Sequence, residues 1–158
     1  MAVDYNTAIT DRSENDLRRF LELDAKRFTD MTLAEQAEWL AGLKATYNAS
    51  DLNRVGSFIL DLAEKLHEIA GITVNVNPKI DWVYSDIPTR GQLNKYISDL
   101  QSLKNSFVFD TPDIPNTASN LTLVGANAIE QMCVNLNEAL TRLQQSGFYC
   151  DEIYSGEF

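Results

Sequence analysis

Cysteine and histidine are scarce: the 158 residues hold two cysteines, Cys133 and Cys150, and one histidine, His67. Two thiols and one imidazole fall short of a tetrahedral thiolate zinc site, and they exclude a disulfide scaffold as the source of order. No metal or cofactor is expected. Glycine is thin as well, with seven residues scattered outside any phosphate-cradling motif, so nucleotide binding through such a loop has no support. No stretch approaches about 18 uninterrupted apolar residues, and Met1 to Thr10 lacks a basic region followed by an apolar one. Neither membrane insertion nor a signal peptide is expected. Positive charge is in the minority, 13 Lys and Arg against 23 Asp and Glu, for a formal charge of -10. Such a field repels phosphate backbones and anionic headgroups, which argues against a nucleic-acid partner.

What is present reads as a globular protein: 44% of residues are hydrophobic and 23% charged. The length suits one domain over residues 1–158, with a core large enough to stand without staples. Helical spacing dominates. Ser13 and Asp16 approximate a capping box before a helix over 14–28, and Thr32 with Glu35 opens a short one that Gly42 closes. Ser50 is the expected cap of a third, whose stripe of Leu52, Val55, Ile59, Leu62, Leu66 and Ile69 stops at Gly71. Thr89 with Gln92 opens a fourth ending near Asn105, and a fifth runs over about 122–146 with Ile129, Met132, Cys133, Leu136 and Leu140 on one side.

Between Ile72 and Tyr84 the period changes to two, interrupted by Pro78, which predicts short strands or extended edges. Residues 106–120, with Pro112 and Pro115, read as an ordered surface loop, and Phe148 to Phe158 as a short closing strand. The expectation is therefore a mainly α fold, a bundle of about five helices with a small β element near 72–84 and at the C-terminal tail.

Asn53, Asn94 and Asn127 share a register. Counting from each, positions +2, +6, +9 and +13 are apolar in all three long helices, as in Val55, Ile59, Leu62 and Leu66. Any amphipathic helix gives this spacing, so the stripes alone do not establish a repeat. They do predict that these helices pack together as the core.

Residues with chemistry are few. His67 stands one position past a stripe residue, between Lys65 and Glu68, and is expected at the solvent; Cys133 lies in a stripe and reads as an inert core thiol. The run Asp51 to Gly56 begins like a calcium loop but places Val55 and Leu62 where ligands belong, which leaves Asp51 as a first-turn acid. Asp81 with Asp86, or Asp151 with Glu152, offer carboxylates without a reason to share a cleft. No catalytic residue is assigned. The residues suited to a sugar or protein contact are aromatic: Trp39, Tyr47, Trp82, Tyr84, Tyr149 and Tyr154, of which Trp82, Tyr84, Tyr149 and Tyr154 are the contact candidates.

Several runs, taken together, carry a resemblance: Asp4-Tyr5-Asn6 with Ile9-Thr10-Asp11-Arg12, Met31-Thr32, Ala37 to Lys44, Tyr47 to Val55, Asp81-Trp82 with Ser85 to Thr89, and Tyr154-Ser155-Gly156-Glu157. The chain resembles small proteins and domains encoded in phages and prophages of Gram-positive, often gut, bacteria, in or beside tail and other virion genes. The resemblance spans nearly the whole chain and supplies no enzymatic residues. It implies a non-enzymatic structural or host-contact module of the virion, in its tail apparatus and synthesised in the bacterial cytoplasm, with protein partners that include copies of itself or other virion proteins, and a host surface glycan as a further partner. A cytoplasmic helical adaptor is the alternative, followed by a protein that binds or cleaves cell-wall glycan.

Overall fold

The computed structural model describes residues 3–146, and the expected closing strand at 148–158, with Tyr149, Cys150 and Tyr154, lies outside them. Five α-helices carry the fold: α1 (Glu14–Asp24), α2 (Leu33–Ala41), α3 (Ala49–Ala70), α4 (Arg90–Ser106) and α5 (Leu123–Ser146). Their ends follow local chemistry. Thr32 and Glu35 cap each other's backbone at the start of α2, Thr89 and Gln92 do so at α4, and Gly71 closes α3 in the left-handed conformation. The cap of α3 is Asn48 rather than the expected Ser50: Asn48 Oδ1 accepts from the N–H groups of Ser50 and Asp51 at 2.9 and 3.3 Å. Helix α1 stops at Asp24, short of the expected residue 28, and Phe28–Asp30 forms a separate turn.

The core is where α3, α4 and α5 meet along the shared stripes. Val55, Ile59, Leu62, Leu66, Leu100, Leu103, Ile129, Met132, Cys133, Leu136 and Leu140 belong to one buried cluster. Burying one such side chain contributes about 1.5–3 kcal/mol, which is why these stripes decide the packing. The helices α3 and α5 run parallel: Arg54 reaches Glu130 near their starts and Lys65 reaches Asn137 further along. Helix α4 has the same direction, because an extended segment returns the chain from the end of α3 to its beginning before α4 starts.

That segment, residues 72–84, is the expected alternating stretch, and it is not a strand; no strand occurs among the described residues. Ile72, Val74 and Val76 pack on the core while Thr73, Asn75 and Asn77 face solvent, so the period-two burial is present. A ladder is not, because helices flank the segment on both sides. It lies as a strap in the groove between α3 and α4: the Asn77 N–H donates to Asp99 of α4 at 3.3 Å. Its Pro78–Ile80 stretch passes so close to Gly56 of α3 that a Cβ there would stand 2.9 Å from Ile80 Cγ2.

Two further straps complete the pattern. Residues 107–118 lie between α4 and α5, where Gln101 of α4 donates to the Pro115 carbonyl and Asn135 of α5 to the Asp110 carbonyl. Residues 3–12 lie between α5 and α3, where the Tyr5 hydroxyl donates to Asp61 of α3 at 2.7 Å and the Ile9 N–H to Glu130 of α5 at 2.7 Å. Three parallel helices thus have a strap in each of their three grooves. Helices α1 and α2 stand to one side, around a small cluster of Leu23, Met31 and Leu43 with Phe20 and Trp39.

Candidate functional site

Three of the four buried charged side chains among the described residues, Arg12, Asp51 and Glu130, meet where the 3–12 strap enters the bundle, while the fourth, Asp99, lies in α4. Arg12 Nη2 donates to Glu130 Oε1 at 2.7 Å and to Asp51 Oδ1 at 3.0 Å, Nη1 to the Ile9 carbonyl at 2.7 Å and Nε to the Lys44 carbonyl at 3.1 Å. Arg54 donates to both oxygens of Glu130, at 2.9 and 2.8 Å, and also to Asp51. The second oxygen of Asp51 accepts the Asn48 N–H at 2.9 Å, so the α3 cap and the ion cluster share a side chain. Asp51 is the first-turn acid of α3 that the sequence predicts, and it is buried. Each oxygen of both carboxylates is engaged by a fixed cation or a backbone donor. This cluster anchors a strap.

Lys79 is likewise in a structural pair. Lys79 Nζ lies 3.0 Å from both Asp81 and Asp86, and across the Trp82 ring. His67 is exposed, with Nδ1 3.2 Å from Thr73 Oγ1. Cys133 is a free, buried thiol, and burial pushes its ionisation up, so it is held as the neutral form. Among the described residues no group of three or more His, Cys, Asp or Glu could hold a metal ion. None of the described helices is long and apolar enough to cross a membrane.

The aromatic candidates separate. Trp82 is only 8% exposed and Tyr84 is 81% exposed. Trp82 is held inward by its main chain and by its indole N–H, which donates to the Lys79 carbonyl at 3.0 Å. A turn closed by the Asp86 N–H on the Val83 carbonyl then breaks the alternation, so Ile80, Trp82 and Tyr84 do not present one face. Tyr47 is committed to its hydroxyl contact with Tyr96 at 2.8 Å.

Tyr84 instead faces a cleft of about 340 Å³ between the α1–α2 pair and the start of α3. Phe20 and Trp39, stacked with centroids 6.0 Å apart, and the exposed Leu40 form its walls with Tyr84. Thr46, Asn48 and Ser50 form a polar edge. The volume is in the range of small-molecule sites, and no acidic or basic side chain lines it. Trp39 and Tyr84 are among the aromatic residues that the sequence marks as suited to a contact; Phe20, inside α1, carries no such mark. Two other hollows differ in being lined by charged side chains: Arg12 and Glu14 beside Leu17 and Val124, and Asp110, Glu138 and Arg142 beside Phe107 and Phe109. Comparison of the chain with protein-family models, with curated proteins and with solved structures finds no match.

Proposed function

We propose that this protein is a non-enzymatic structural or host-contact module of a phage or prophage, part of the tail apparatus, that works through its surface. The observation that carries this reading is the division of labour between charge and aromatic rings. The clustered ionisable groups Arg12, Asp51, Arg54 and Glu130 are tied into strap anchoring, while a cleft open to solvent and free of charged side chains is built from Phe20, Trp39 and Tyr84. Rigid rings on a scaffold bury contact area at little entropic cost. The resemblance to phage and prophage tail-associated proteins points the same way. Exposed Val83, Ile87 and Val124 add apolar surface of the kind that assembly faces use.

The test is mass spectrometry of particles purified after prophage induction in a strain that encodes the chain, with capsid protein as positive control. The expected result is the chain at stoichiometric level beside capsid. Abundance in the lysate with absence from particles overturns the virion reading and favours the adaptor.

A further inference from the structure

We infer that the cleft between Trp39 and Tyr84 is a binding site for a neutral sugar ring. This deepens the host-contact reading above and rests on it for its biological meaning, while its chemistry stands on the cleft alone.

The polar edge defines what a ligand must offer. Ser50 Oγ donates its proton to Asn48 Oδ1 at 2.6 Å, and Thr46 Oγ1 donates to the Leu43 carbonyl at 2.7 Å. Both hydroxyls are left able only to accept. Asn48 is the reverse: its Oδ1 is filled by Ser50 and Asp51, whereas its Nδ2 has no partner among the described residues. Gly42 keeps that amide uncovered, since a Cβ at this position would stand 2.7 Å from Nδ2. Within one short segment the cleft therefore presents two acceptors and one donor group.

A complementary ligand donates and accepts from neighbouring atoms, and vicinal hydroxyls do both. It also needs an apolar face for the rings of Trp39 and Tyr84, and it carries no charge, because the lining offers no counter-ion. A pyranose meets all three requirements: hydroxyls at the rim and axial C–H groups on a flat face. A carboxylate sugar meets two and would bring an uncompensated charge into an apolar wall.

The purified full chain should be titrated with methyl β-D-glucopyranoside, methyl β-D-galactopyranoside and N-acetylglucosamine, read by saturation-transfer NMR, with glucuronate and benzyl alcohol as controls. At least one neutral sugar should receive saturation at its ring C–H protons. Tyr84→Ala, at an exposed position, should weaken that binding about tenfold with an unchanged melting temperature, as should Ser50→Ala. The inference is overturned if no neutral sugar binds the folded chain, if both variants bind as the wild type does, or if the controls bind in preference. A chain found in particles but blind to sugars sinks this inference alone. A sugar-binding chain absent from particles sinks only the tail assignment.

Discussion

Asn53 grips the main chain of Trp82 from both sides: Trp82 N–H donates to its Oδ1 at 2.7 Å and its Nδ2 donates to the Trp82 carbonyl at 2.8 Å. Asn127 holds Arg12 in the same way, with both bonds at 2.9 Å, and Asn94 accepts the Ala118 N–H at 3.4 Å. Each asparagine stands five residues after its helix cap, Asn48, Thr89 or Thr122. The shared register in the sequence is thus a shared task, fastening the end of a strap to the start of a helix. Asn53→Ala and Asn127→Ala should each cost about 1–3 kcal/mol in urea unfolding, because each orphans a strap N–H and carbonyl. Asn94→Ala, with one long exposed bond, should cost less than either. Equal losses at all three would mean that the clamps are incidental.

Local signals were legible and distant ones were not. Thr32 with Glu35, Thr89 with Gln92 and the closing glycines act within one turn, so the sequence carries them openly. The stripes of α3, α4 and α5 are equally local and predicted the core. The straps were half legible: alternation records that one side is buried but not whether a strand or a helix lies alongside. Asn48 was missed as a cap although Asp51 completes its box, because Ser50 offers the same chemistry two positions later. The pairing of Arg12 with Glu130 spans 118 residues, and only the spacing of Glu130 between the buried Ala126 and Cys133 hinted that this acid faces inward. The cleft depends on where α1 and α2 stand against Tyr84, which no periodicity encodes.

The close approach of the 72–84 strap to α3 gives a steric test. Gly56→Ala would place a methyl group 2.9 Å from Ile80 Cγ2 and 3.1 Å from the Lys79 carbonyl. Helix propensity alone favours alanine by about 1 kcal/mol, but the Lys79 oxygen belongs to the main chain and accepts the Trp82 indole N–H, so it yields only if the strap shifts. A net loss of about 1–3 kcal/mol in thermal unfolding is expected, as for other overpacked sites. A gain in stability would mean that the strap moves away from α3 at little cost.

Acid should act through the caps. The Lys26 ammonium, then the Thr32 N–H, hold the Glu35 carboxyl down to about 2, from an ordinary value of 4.5. Ser13 holds Asp16 down, and Arg19 does the same for Glu38. A carboxyl lower in the folded than in the unfolded chain stabilises above its unfolded value and loses that contribution as pH falls toward its folded one. Melting temperature should therefore fall between about pH 4.5 and 2. Glu35→Gln should be less stable near neutrality and should fall less across that window. Parallel curves for the two proteins would exclude the α2 cap as a source of the acid response.

The ion cluster should respond to single and paired substitutions in opposite ways. Glu130→Leu leaves Arg12 and Arg54 to share Asp51, and Arg12→Met leaves Glu130 and Asp51 to share Arg54. Either change strands charge in a site where Arg12 and Glu130 side chains are 1% and 0% exposed, for an expected loss of about 3–5 kcal/mol. The double variant removes one charge of each sign and keeps the Arg54–Asp51 pair with the Asn48 cap it supports. Its loss should therefore fall short of the sum of the two by about 0.5–3 kcal/mol, measured by denaturant unfolding of all four proteins. Strict additivity would mean that the cluster holds the 3–12 strap through independent contacts, and the coupling between strap, cap and α5 would have to lie in Asn127 instead.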